Sequence, residues 1–389
     1  MDARTARTLC SPEGQRALEV ARATRGEPEG RRRTAVEARV GAEDARAVLA
    51  QDDLRVRAAV KTPLAEALLF TREALEQATP APVAEERAAR FHAFPRVADL
   101  CAGVGLDTIA LARAGRHVVA VERDPARAAL LAHNARAAGV DARVEVVVGD
   151  VATAQVECDA AFLDPDRRAG GERTRDPDRF EPPAATWAAL AARFGHLLVK
   201  LPPALPSPPS DAGVELVSLD GRLREARTGF GALAISAARR ALVLPSGASL
   251  DGAGCPWPDA RAPRPGDVLL DPDPAVVVAG LVGEAAIAAG AAPVHPRIAY
   301  LLGDRAMPWA RCDRVDEVLP ADPRALRAEL AARDVGDLEL RQRGIADPPE
   351  AWRRRLRPRG GARATLVLTR GPDDRYVALL VSPVTSSAG

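Results

Sequence analysis

The sequence predicts an α/β protein built on a doubly wound, mostly parallel sheet, with a helical segment before it and a smaller α/β domain after it. Three observations carry this. From Val97 to about residue 203, short β-branched or apolar runs alternate with Ala-rich helical runs, the pattern of right-handed strand–helix–strand crossovers. Residues 1 to about 93 instead space their apolar side chains by three and four, as amphipathic helices do. A second alternation of strands and helices resumes after a stretch rich in Pro, Gly and Asp.

In the helical region, 1–93, "PLAEALLFTREALEQA" has the clearest helical spacing, and the first 35 residues, charged and Gly-containing, are expected to be loosely ordered. Then "RVADLC", "HVVAVE", "RVEVVVGD", "CDAAFLD" and "HLLVKLPP" read as strands, separated by helical runs such as "DTIALARAG" and "DPARAALLAHNARAAG". "ELVSLDG", "GALAISAA" and "RALVLPSG" come next without long helices, which predicts an antiparallel extension of the sheet. The expected domain covers 94–250, a linker 251–266, and a second domain 267–389, an α/β stretch that includes "AVVVAGLVGEAAIAAG", "LRAELAARD", "DLELRQRG", "ATLVLTR" and "YVALLV".

Composition narrows the class. At 389 residues and 47% hydrophobic, the chain can bury two or three cores. No apolar run reaches bilayer length and no signal-peptide pattern opens the sequence, so a cytoplasmic protein is expected. The five cysteines are scattered without a CxxC pair, which argues for neither a disulfide framework nor a zinc site, and no metal is expected. Lys61 and Lys200 are the only lysines beside a large arginine excess, yet net charge is +1, so overall charge gives no argument for nucleic acid.

The chemistry concentrates at strand ends. "VADLCAGVGLDTIALA" places Asp99 at the end of the first strand, then a tight loop with Gly103 and Gly105 and a helix; open parallel sheets bind ligands beyond such ends. Counting from Gly103, Thr108 stands where a dinucleotide fingerprint wants a third glycine, and a carboxylate at Asp99 does not suit a pyrophosphate. It suits the ammonium and sulfonium of S-adenosyl-L-methionine. Glu122, 19 residues after Gly103, is placed for ribose hydroxyls, and Asp150 for an adenine amino group with Val151 packed on the ring. Asp164 ends the fourth strand in "FLDPDRR". Four acids at successive strand ends form the strongest signal.

Together with "LEQATPAPVAEERAARF", "FLDPDRR", "VKLPP", "IAYLLGD", "DLELRQRG" and "ATLVLTR", these strings resemble the class I S-adenosylmethionine-dependent methyltransferases. The similarity is greatest to a bacterial family that joins this domain to a C-terminal THUMP-like domain, and it spans roughly residues 68 to 381. It implies a Rossmann-like methyltransferase sheet, with Asp99, Cys101, Gly103, Gly105 and Asp107 of the D-x-C-x-G-x-G-x-D string, plus Glu122, Asp150 and Val151, around the cofactor. Gln77 and Thr79 match the family segment ahead of the first strand and are candidates for the cofactor mouth.

In amino-group methyltransferases the fourth-strand tip reads Asn/Asp-Pro-Pro-aromatic. Here Asp164 and Pro165 fit, but Asp166 replaces the second proline and Arg167 the aromatic. Asp164 is therefore expected to orient or deprotonate the nucleophile, with Arg167 and Arg168 gripping a phosphate through bidentate forks. Lys200, ending the fifth strand, is placed to touch substrate or pair with Asp164.

Residues 338–363 hold eight arginines against three acids, with Trp352 beside the arginine run. Arg341, Arg343, Arg353, Arg354 and Trp352 are candidates for a phosphate backbone and one stacked base. The THUMP-like resemblance implies RNA as partner, and tRNA within it. A protein or small-molecule acceptor, a non-catalytic RNA binder with a degenerate methyltransferase domain, and a dinucleotide oxidoreductase stay open at this stage.

Overall fold

A computed structural model describes residues 1–169, 172–174, 176–203 and 212–384. They form two compact units, Met1–Gly213 with Arg224–Ile235, and Val214–Leu223 with Ser236–Gly389. The polypeptide thus passes from one unit to the other three times, at 213/214, 223/224 and 235/236. Among the described residues no helix is long and apolar enough to cross a membrane.

The first unit begins with α1 (Ala3–Cys10), α2 (Pro12–Ala23), α3 (Glu29–Ala58), α4 (Arg72–Gln77) and α5 (Ala81–Ala89). Two sequence expectations change here. The first 35 residues are not loose: Asp2 and Ser11 cap α1 and α2, and Leu9, Leu18 and Ala21 are fully buried. Asp52, also without exposure, ties Arg25 at 2.6 Å and Arg32 into the same bundle. The second change is that "PLAEALLFTREALEQA" is helical only from Arg72, where the Thr71 hydroxyl accepts from Ala74 N. Leu68, Leu69 and Phe70 are buried with their backbone groups held by side chains instead: Asn134 accepts from Leu69 N at 2.7 Å, Gln51 accepts from Phe70 N, and Arg55 Nε donates to Leu68 O. Side-chain partners satisfy these backbone groups in place of helical ones.

The sheet comes next, as expected, with β1 (Arg96–Leu100), α6 (Leu106–Arg113), β2 (His117–Glu122), α7 (Pro125–Ala137), β3 (Val144–Val148) and β4 (Ala160–Leu163). After the short β5 (Arg168–Ala169) and β6 (Glu172–Arg173) come α8 (Trp187–Phe194) and β7 (Leu197–Leu201). β8 (Val214–Leu219) then precedes β9 (Arg222–Phe230). Within the first unit the strand order is β9, β7, β4, β1, β2, β3. All neighbours are parallel except β7 with β9. Neighbours on both sides of β1 make its carboxyl end the switch point where such sheets open a crevice. "GALAISAA" is no strand; the chain turns at Gly231–Leu233, and a Cβ at Gly229 would fall 2.0 Å from Leu233 O.

The second unit adds β10 (Arg239–Leu244) and β11 (Ala248–Gly252), then β12 (Val268–Pro272), α9 (Pro274–Val278), α10 (Val282–Ala289), β13 (Ala292–His295) and β14 (Ile298–Gly303). It ends with β15 (Ala310–Pro320), α11 (Pro323–Ala332), β16 (Val335–Gln342), α12 (Pro349–Leu356), β17 (Ala362–Arg370) and β18 (Tyr376–Pro383). These bounds differ from the expected break at 250. β10 pairs with both β8 and β11, and α9 packs on β8 and β10, so these three strands group with the C-terminal elements. A seven-stranded sheet runs β13, β14, β12, β15, β18, β17, β16. Alternation along β17 splits its two cores: Leu366 and Leu368 pack with the helices that carry Leu326, Leu330 and Leu356, and Val367 packs with Leu269 and Tyr300.

Candidate active site

Beyond the carboxyl ends of β1, β2 and β4 lies a cleft of about 520 Å³. Its lining brings together most of the residues singled out from the sequence: Gln77, Thr79, Asp99, Cys101, Gly103, Asp107, Glu122, Asp150, Val151 and Asp164.

The loop after β1 is shaped by left-handed backbone. Cys101, Gly103 and Gly105 have φ of 65°, 59° and 89°. At Gly105 a Cβ would sit 2.8 Å from Leu131 Cγ, so glycine serves both conformation and packing there. Glu122, 3% exposed, fastens the loop: Oε2 accepts from Gly103 N at 2.8 Å and Oε1 from Asp124 N at 2.9 Å. Cys101 Sγ donates to Glu181 O, and burial pushes this thiol well above its ordinary value.

Asp99 is 1% exposed. Its Oδ2 accepts from the Thr108 hydroxyl, its Oδ1 is buried without a hydrogen-bond partner, and the residue lines the cleft. Burial, with the negative charges of Asp107 and Asp164 nearby, raises this carboxyl to about 8. Thr108, which had only argued against a dinucleotide site, is thus the residue that orients Asp99.

Asp164 follows β4, its N–H donating to Leu100 O. Lys200 Nζ donates to Asp164 Oδ2 at 2.6 Å, which realises the pairing foreseen for this lysine. Pro165 is buried beside it. Arg167 is not on the cleft lining; it is half-buried and its carbonyl accepts from Thr174 N. The Arg168 side chain lies outside the described residues. Chain that sequence reasoning missed fills this end. Asp166 and Glu181 exchange backbone hydrogen bonds at 2.9 Å, which brings Glu181, Pro182 and Pro183 onto the lining. Trp187 Nε1 holds Pro182 O at 3.1 Å. The Glu-Pro-Pro string, an acid followed by two prolines as in the amino-group tip, was the available signal.

Beneath the cleft runs a buried ion network that the sequence did not reveal. Arg87, 2% exposed, donates from Nη1 to both oxygens of Glu225 at 2.7 and 2.8 Å, and from Nη2 to Thr79 Oγ1 at 3.3 Å and to Asp107. Burial opposes the charge on Glu225, yet Arg87, Arg227 and Lys200 hold its carboxyl down near 2. Lys61 supports the cleft from another side, its Nζ donating to the carbonyls of Leu75, Glu76 and Ala78.

Residues named from the arginine-rich segment sit in the second unit and divide into two kinds. Arg341 is largely buried against Asp313 at 2.7 Å, and Arg343 pairs with Asp271 at 2.8 Å and lies over the Tyr300 ring. Arg353 and Arg354 are exposed on α12, although Arg353 also donates to Leu338 O at 2.6 Å. Trp352 corrects an expectation: at 3% exposure it is core, packed with Leu326, Leu330 and Leu356, and is not available to stack on a base. Its neighbours at helical spacing put it inward while the arginines face water. Trp352→Ala is expected to destabilise the protein by roughly 3–5 kcal/mol, whereas Arg354→Ala stays within about 0.5 kcal/mol; equilibrium unfolding in denaturant distinguishes the two.

Residues 95–168 match the family described as RNA cap guanine-N2 methyltransferase, and residues 310–383 match the family described as THUMP domain-like. An uncharacterized S-adenosylmethionine-dependent methyltransferase, found in two strains of Mycobacterium tuberculosis, is 37% identical over 311 residues, covering 78% of this chain and 84% of the relative. A solved structure from Porphyromonas gingivalis W83, assigned as a methyltransferase, aligns with a TM-score of 0.75 at 20% identity over 95% of this chain and 98% of its own, which shows a shared fold.

Proposed function

Because the chain belongs to the S-adenosylmethionine-dependent methyltransferases, with a THUMP-like domain at its C-terminus, we propose that it methylates RNA, and tRNA in particular. The observation that carries the enzymatic part is the ring of strand-end acids around one cleft. The RNA part is supported by the two family matches and by the exposed arginines of α12.

The residues fit the cofactor. Asp99 Oδ1 is a buried acceptor with nothing bound to it, which suits a cationic group. Asp107 would share that task, Glu122 and Asp150 would take the ribose and adenine ends, Val151 would pack on the base, and Cys101, Gly103 and Gly105 would let backbone approach closely. S-adenosylmethionine supplies a methyl group on a sulfonium, already an activated leaving group. The protein then has to align the acceptor and remove a proton where one must leave. Asp164 would do both, with Lys200 engaging Oδ2 and Oδ1 left to accept from the nucleophile. Arg167 and Arg168, past the strand tip, are candidates for a phosphate contact, with Arg353 and Arg354 as a second contact on the THUMP-like domain.

One observation favours a second reading. The cleft is lined by eight carboxylates, Asp166, Glu181 and Glu73 among them, against Arg123 and Arg127. An acidic mouth disfavours a polyanion and would admit an amine on a protein or small molecule.

The deciding experiment transfers a radiolabelled methyl group from S-adenosylmethionine to RNA and protein fractions of a strain lacking this gene. Label in small RNA is expected, and its absence with the Asp164→Ala variant. Label confined to protein would replace the RNA reading with the second.

A further inference from the structure

We propose that Arg87 is a positioning residue for methyl transfer, fixing the cofactor-side acid Asp107 and the acceptor-side strand tip at one separation from beneath the cleft. The inference rests on the methyltransferase reading of the site. Arg87 does not line the cleft, so it is not a catalytic residue. Its guanidinium nevertheless touches three elements that build the cleft. One arm reaches Asp107 in the first turn of α6 and Thr79 ahead of β1. The plane lies 4.4 Å over the ring of Phe162, two residues before Asp164 on β4. The other arm grips Glu225 on β9 with two hydrogen bonds.

Glu225 has a second cationic partner besides Arg87. Arg227 Nε already donates to Glu225 at 2.8 Å, while its Nη2 reaches Glu86 at 2.6 Å. Arg87 is thus anchored at one end by a carboxylate that is already paired and delivers its other end to the site. Only a planar fork can hold Glu225, Asp107 and a ring face together; an ammonium of similar length gives a point contact. Displacement of Asp107 or of the β4 tip by a fraction of an ångström disturbs an in-line transfer although no reacting group has changed.

The test measures binding of S-adenosylhomocysteine by calorimetry, melting temperature, and methyl transfer to small RNA. It compares wild type, Arg87→Lys, Asp107→Asn and the double variant. Asp52→Asn serves as the control, since it breaks a buried ion cluster among the N-terminal helices, away from the cleft. Arg87→Lys is expected to weaken S-adenosylhomocysteine binding at least tenfold and to lower kcat as well. The double variant should lose less binding than the product of the two single losses, because both changes break the shared Arg87–Asp107 contact. Asp52→Asn should lower the melting temperature with binding within about twofold of wild type. Wild-type-like binding by Arg87→Lys, multiplicative losses in the double variant, or equal binding loss in Asp52→Asn would each overturn the proposal. If Arg87→Lys fails to fold, Arg87→Met with Glu225→Gln removes both charges of the pair and keeps an acceptor for Arg227 Nε; the same tenfold weakening is expected, and its absence overturns the proposal. No binding by the wild-type protein would instead remove the cofactor reading, and this one with it.

Discussion

Asp164→Ala is expected to lower the rate of methyl transfer by roughly 10²- to 10⁴-fold, the usual span for loss of a positioned general base, while binding of S-adenosylhomocysteine stays within about threefold. The separation reflects place: Asp164 sits at the tip of β4 rather than in the Gly103–Gly105 loop, and its hydrogen bond is to Lys200. Removing the carboxylate leaves Lys200, itself only 10% exposed, without its anion, so some loss of stability accompanies the change. The companion variant Asp164→Ala with Lys200→Met restores stability and should restore no activity. Single-turnover kinetics at saturating cofactor make the comparison. Activity near wild type in either variant would remove Asp164 from the chemistry.

The second large effect concerns Asp99, where binding and stability should move in opposite directions. Burial, with Asp107 and Asp164 close by, raises its carboxyl from 3.8 to about 8. The folded, cofactor-free protein therefore holds a proton that the unfolded chain gives up near pH 4. Between those values the unfolded state binds fewer protons, so this group's contribution to stability declines as pH rises from about 4 to about 8. A cationic ligand requires the carboxylate and must expel the proton. Affinity for S-adenosylmethionine is accordingly expected to improve by up to about tenfold per pH unit below 8 and to level off above it. Asp99→Asn should flatten that profile, weaken binding at pH 8.5 by roughly 100-fold, and stabilise the cofactor-free protein at that pH. Calorimetry across pH, with denaturant unfolding of both proteins, tests the two signs together; a flat wild-type profile would exclude a protonated Asp99.

What could be read from the sequence was whatever is written locally. Each strand-end acid follows its apolar run within two residues, so Asp99, Glu122, Asp150 and Asp164 were found by inspection and meet at one cleft. The sheet was legible for the same reason, since alternating strands and helices leave a short-range period. Arg87 was not legible, because its partner Glu225 lies 138 residues away and nothing near either residue announces the other. Glu181 reaches the site only because the chain turns back to pair with Asp166. Trp352 was misread through its neighbours: the arginines beside it suggested a binding surface, whereas its spacing to Leu356 on α12 placed it in the core. The buried segment at Leu68–Phe70 kept a helical pattern in its letters and lost the helix to side-chain partners, Asn134 among them, brought in from α7.

The three passages of the chain between the two units bear on how this protein can be taken apart or recombined. A gene fragment ending at residue 250 would encode β8 and β10 but not α9, the helix that packs on both. A fragment starting at 267 would lack β8, β10 and β11 altogether. Neither is a transferable module. A graft that exchanges the THUMP-like half for that of a relative must carry 214–223 and 236 onward as one set, threaded around the retained 224–235, and natural shuffling of these domains at a single crossover is correspondingly disfavoured.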